Sequence, residues 1–155
     1  MEINERSLND ILTKERTIDI INAIRAGELD KYLPQLKDDE NVRFRRTLAY
    51  MGKYLDQYIK DKDSTVREAV IITDSSYVPI MVENNNPEDD IALIRWLASD
   101  TTIDKDLWKT ILARPGITKK LERYFTGGPY ALNIVKQLWE KGKPDVLSKT
   151  MTRTQ

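Results

Sequence analysis

Arg46, Tyr50, Tyr54 and Tyr58 recur at a spacing of four residues. On a continuous helix that spacing makes a ridge of one guanidinium and three phenols, and Tyr and Arg are the side chains that most often anchor protein interfaces. Tyrosines at a core margin with wetted hydroxyls would follow the same spacing. A second group, Arg43, Arg45, Arg46, Lys53 and Arg67, is the densest cationic cluster. Its chemistry would be phosphate contact, although Arg43 and Arg45 lie about 200 degrees apart around a helix and so do not share a face. Ion pairs at i to i+4 along a solvated helix are the simpler reading of the cluster, and a salt bridge or turn contact to the preceding acids that of the Val-Arg arginines.

The acidic groups are weaker candidates. Asp61-x-Asp63 with Glu68 lacks the glycine and ligand spacing of a calcium loop, so capping is the simpler role. Glu83 with Glu88, Asp89 and Asp90 suits the N-terminal end of a helix. Gly127-Gly128-Pro129 lacks the Lys-Ser/Thr of a phosphate loop and reads as a turn.

Composition bounds the chemistry further. The sequence has no Cys and no His, which removes serine triads, Cys/His dyads, histidine acid–base steps, disulfides and most zinc sites. A carboxylate-only enzyme is the remaining catalytic option, and no carboxylate pair announces one. The chain is therefore expected to be non-enzymatic, with no cofactor and no metal. Lys plus Arg and Asp plus Glu both count 25, and zero net charge disfavours a nucleic-acid partner. No apolar run reaches the ~18 residues of a membrane span and the N-terminus lacks a signal-peptide pattern, so a cytoplasmic protein with no membrane contact is expected.

These side chains must be positioned by helices, because apolar periodicity is helical almost throughout. Expected elements are Ser7 to Thr13 with Ser7 as cap; Thr17 to Ala26, with Ile18, Ile21 and Ile24 inward and Gly27 as stop; and Asn41 to Lys60, with a stripe of Phe44, Leu48, Met51, Leu55 and Ile59 and a kink or break allowed at Gly52. Ser64 is expected to cap a helix through Val66, Ala69, Val70 and Ile71 that ends at Asp74-Ser75-Ser76. Val78 to Val82 reads as a short helix with Pro79 in its first turn, and Pro87 opens the next. Thr102 to Ala113, Ile117 to Phe125 and Tyr130 to Lys141 complete the series, with Trp96, Trp108 and Trp139 in core positions.

Two segments repeat. Leu36-Lys37-Asp38-Asp39-Glu40-Asn41-Val42-Arg43 matches Ile59-Lys60-Asp61-Lys62-Asp63-Ser64-Thr65-Val66-Arg67, at an offset of 23 residues for Lys-Asp and 24 for Val-Arg. Asp61 to Val70 resembles the core of the leucine-rich repeat variant family, itself similar to HEAT-like helical repeats. The resemblance implies short and long helices alternating in a superhelix, Val66, Ala69 and Val70 in the core, and Asp61 or Asp63 supporting the turn.

The expected fold is thus all-α, a short right-handed α-solenoid in a single domain. Residues 1–32 are N-terminal cap helices, 33–113 degenerate repeats, 114–150 C-terminal cap helices and 151–155 a frayed tail. The expected function is binding of a protein partner, as adaptor or inhibitor, through Arg46, Tyr50, Tyr54 and Tyr58. The alternative is a nucleic-acid-associated repeat using Arg43, Arg45, Arg46, Lys53 and Arg67. Small size and zero charge would also suit an accessory protein of a phage or mobile element.

Overall fold

The computed structural model describes residues 1–99, 105–117, 119 and 120. The protein is all-α: the described residues form nine α-helices and no strand. None of those helices is long and apolar enough to cross a membrane. They fall into two compact units, Met1–Tyr77 and a second that begins at Val78.

The first unit opens with α1 (Leu8–Lys14), whose Ser7 hydroxyl accepts from the Asp10 amide as expected. Helix α2 (Thr17–Arg25) ends at Gly27 with φ +79°. The Glu28 amide donates back to the Ala23 carbonyl and the Gly27 amide to Ile24, closing a Schellman turn that requires the left-handed conformation. The inward stripe differs from the expected one. Ile20, Ile21, Ala23 and Ile24 are buried, while Ile18 is exposed, because α2 packs against both α1 and α4 and needs a wider apolar face.

After a 3-10 turn, α3 (Leu33–Leu36) leads through a loop into α4 (Val42–Tyr50). The helix expected to run from Asn41 to Lys60 is broken where the break was allowed. Gly52 takes φ +78°, the Lys53 amide caps Leu48, and Tyr54 takes φ +56° before α5 (Leu55–Tyr58) begins. Phe44, Leu48 and Ile59 of the expected stripe are buried; Met51 and Leu55 beside the break are half-buried. A second loop leads into α6 (Ser64–Thr73). Its cap is Asp63 rather than Ser64, since the Asp63 carboxylate accepts from the Thr65 amide at 2.8 Å.

The stretch from Leu33 to Tyr50 and that from Leu55 to Ile72 are the same motif. Leu36 and Tyr58 carbonyls cap the amides of Asp39 and Asp61. Asp39 and Asp61 each accept from the amide two residues on, and Asn41 and Asp63 cap the following helix. Arg45 and Arg67 each donate from Nη1 to the carbonyl six residues back, at 2.8 and 2.6 Å. Every pair lies 22 residues apart, so the register is corrected: Arg67 matches Arg45, whereas the Val-Arg identity pairs it with Arg43. Val66, Ala69 and Val70 are buried as the repeat resemblance implies.

Buried sets confirm that register. Phe44, Arg45, Thr47, Leu48 and Ala49 in α4 correspond one for one to Val66, Arg67, Ala69, Val70 and Ile71 in α6. Helix α4 packs on α2 and, most extensively, on α6. Each fully buried Leu, Ile or Val contributes about 1.5–3 kcal/mol.

In the second unit α7 (Val78–Asn84) begins with Pro79 in its first turn, and Asn86 caps the 3-10 turn at Pro87 that continues into α8 (Asp90–Ser99). Helix α9 (Lys105–Leu112) packs on α7 and α8 and is followed by Gly116 at φ +79°. Val78, Met81, Leu93, Ile94, Ile111 and Ile117 are buried. Thr102, Gly127-Gly128-Pro129, Trp139, the helix expected from Tyr130 and the Trp108 side chain lie outside the described residues; Trp96 is half-buried.

The corrected register has a direct test. Arg45→Ala should cost about 3–5 kcal/mol by leaving the buried Asp61 carboxylate unpaired, whereas Arg43→Ala should stay within ~0.5 kcal/mol. Urea unfolding of the two variants decides between the registers; equal effects would support the Val-Arg alignment instead.

Candidate functional site

The tyrosine ridge does not exist as one ridge. Gly52 and Tyr54, both in left-handed conformations, turn the chain between Tyr50 and Tyr58. Tyr50, in the last turn of α4, is 47% exposed, whereas Tyr58 in α5 is 0% exposed. The Tyr58 hydroxyl donates to the Lys37 carbonyl at 2.9 Å, and its ring meets Tyr54 edge to face at 6.3 Å between centroids. Burial, with the nearby Asp61 carboxylate adding to it, pushes the Tyr58 phenol well above its ordinary value. Tyr58 is therefore a permanently neutral core donor. Tyr54 is half-buried, with the Lys37 ammonium 5.8 Å from its ring centre. Of the four expected anchors, Tyr50 and half-buried Arg46 remain on an open helix face.

The cationic cluster is likewise divided. Arg45 is buried, and its Nε and Nη2 donate to the two Asp61 carboxylate oxygens at 2.9 and 3.2 Å while Nη1 holds the Asp39 and Glu40 carbonyls. The Asp61 hydrogen bonds raise the Arg45 guanidinium above its ordinary value, so it stays charged. Arg67 is buried on the Asp61 carbonyl. Neither can reach a phosphate in solvent. Arg43 and Lys53 are exposed, and Arg46 donates from Nη1 to the Thr65 hydroxyl at 3.0 Å.

The acids also work inward. Asp61 accepts Arg45 and the Asp63 amide, and Asp63 caps α6, so the Asp61-x-Asp63 pair is capping chemistry. No group of three potential metal ligands occurs among the described residues. An open hollow of about 300 Å3 beside these loops mixes Lys37, Lys60 and Lys62 with Asp38, Asp39 and Glu40, giving a potential of no single sign.

In the acidic group before α8, Glu83 and Glu88 are exposed but Asp89 and Asp90 are buried. Asp90 takes Arg114 Nε and Lys120 Nζ, each at 2.5 Å. Arg114 also donates to the Asn86 carbonyl and Lys120 to that of Pro87. The Nη1 of Arg114 is buried without a hydrogen-bond partner among the described residues. Sequence reasoning missed this triad, since nothing in local spacing links Asp90 to cations 24 and 30 residues later. Asp90 falls 23 residues after Arg67, as Asn86 does after Asp63, so the third turn carries an acid where the first two carry arginine.

Two measurements check these assignments. Tyr58→Phe should cost about 1 kcal/mol in chemical denaturation by removing the shorter of the two hydrogen bonds to the Lys37 carbonyl, the other coming from Gln57 Nε2 at 3.5 Å, with helicity unchanged. Asp63 is held below its ordinary value, chiefly by the Thr65 hydroxyl. A carboxylate depressed in the folded state adds stability above its unfolded pKa of about 3.9, and this is lost as pH falls through the lower folded value. Asp63→Asn keeps the capping oxygen without the charge, so the stability gap between wild type and variant should close as the pH drops below about 4. A gap that stays constant through that range would exclude a charge contribution from the cap.

Compared with protein-family models, with curated proteins and with solved structures, the chain matches none.

Proposed function

We propose that this protein is a non-enzymatic protein-binding module, a short helical-repeat scaffold of the right-handed solenoid type that acts as an adaptor or inhibitor. The observation that carries the reading is the division of labour among its polar and aromatic groups. Tyr58, Arg45, Asp61, Arg67 and Asp90, the groups with the most chemical potential, are buried in internal bonds. Large apolar side chains, Tyr50 and Ile72, stand exposed on helices whose other faces are packed. Scaffolds spend their polar groups on holding shape and present surface for recognition; enzymes keep titratable groups open to substrate.

The same division weighs against phosphate binding. With Arg45 and Arg67 internal, the cationic group is reduced to Arg43, Arg46 and Lys53 on a chain of zero net charge.

Affinity capture from source-cell lysate, with and without nuclease, should recover a stoichiometric protein that survives nuclease treatment. Recovery abolished by nuclease would replace this reading with the nucleic-acid one.

A further inference from the structure

We infer that the shared outer face of α4 and α6 docks an acidic protein segment bearing apolar side chains. This rests on the protein-binding reading above and narrows it to one surface and one partner chemistry.

The 22-residue register places Tyr50 and Ile72 at equivalent positions in the last turns of α4 and α6. They are 47% and 60% exposed. The α6 core is already supplied by Val66, Ala69, Val70 and Ile71, so Ile72 is not needed to hold the helix down. Residues at spacings of three and four share a helix face. On α4 the outer row is Arg43, Arg46 and Tyr50; on α6 it is Thr65, Glu68 and Ile72. The Arg46 to Thr65 bond joins the two rows side by side, so Tyr50 and Ile72 belong to one surface.

Charge selects the occupant. From Val42 to Leu55 the chain has four cations and no acid. Asp61 neutralises Arg45 internally, which leaves exposed Arg43 and half-buried Arg46 on the α4 row and exposed Lys53 in the turn that follows it. Against these three cations stand two acids, half-buried Glu68 of the α6 row and the capping Asp63 beside Thr65 and Arg46, so the face keeps a positive excess. A partner must offer apolar groups to Tyr50 and Ile72 and carboxylates to the rim. Nucleic acid fits less well, because an aliphatic Ile72 offers no ring on which a base could stack.

The test is selection of a phage-displayed random-peptide library on the immobilised full chain at physiological salt, followed by affinity measurement on a synthetic peptide from the enriched set. Enriched sequences should be acidic with aromatic or aliphatic residues. Ile72→Ser, Tyr50→Ala and Arg46→Glu should each weaken binding about tenfold or more, with circular dichroism unchanged. Ile18→Ser, on α2, should leave affinity unaltered. Enrichment of sequences without acids, no enrichment at all, or a peptide indifferent to Ile72→Ser and Tyr50→Ala would overturn the inference. If lysate capture still returned a nuclease-resistant partner, the protein-binding reading would stand with a different face; if it did not, both would fall.

Discussion

The Arg45–Asp61 pair is the interaction on which the first unit depends. Both side chains are almost wholly removed from water, at 6% and 7% exposure. A buried charge that loses its partner costs several kcal/mol, so helix α4, which carries Arg45, and the loop that carries Asp61 are held at one separation and orientation. Each partner also satisfies backbone: Arg45 holds the Asp39 and Glu40 carbonyls, and Asp61 accepts the Asp63 amide. A bidentate guanidinium–carboxylate contact adds a directional constraint to the apolar packing of α4 against α6. A polar contact between helix α4 and the loop before α6 thus fixes how one repeat meets the next, with apolar burial supplying most of the free energy.

The same economy explains why Tyr58 and Arg45, chemically suggestive in the sequence, serve the fold. A phenol sealed from solvent and bonded to a carbonyl is a structural donor, and a guanidinium with its donors spent on one carboxylate and two carbonyls has little left for a substrate.

Much of this was legible in the sequence. Ser7, Gly27, Pro79 and Pro87 mark their helix boundaries because caps and backbone-restricted residues act locally. The tyrosine ridge misled because spacing of four has meaning only on an unbroken helix. Two left-handed residues, Gly52 and the non-glycine Tyr54, separated by Lys53, turn the chain out of it. Arg45 was hard to find for a different reason. The Val-Arg identity ranks Arg43, but function in this turn requires a guanidinium that reaches the carbonyl six residues back, and that condition is met at 45 and 67. Ser64 and Asp63 are about equally good caps by residue type, and Asp63 is the one with the extended backbone that a cap needs.

The third turn shows why such repeats fade from sequence before they fade from structure. At Asp90 the charge is reversed, and the guanidinium and ammonium arrive from Arg114 and Lys120. Those cations also bond the Asn86 and Pro87 carbonyls, as Arg45 bonds Asp39 and Glu40. What the fold retains is a cation–carboxylate pair buried against the carbonyls that precede a helix. Either partner can come from any element able to reach, because the desolvation penalty is relieved by proximity of opposite charge and not by chain order. A comparison of residue identities scores Arg67 against Asp90 as a mismatch. In electrostatic terms they are the two halves of one repeated requirement.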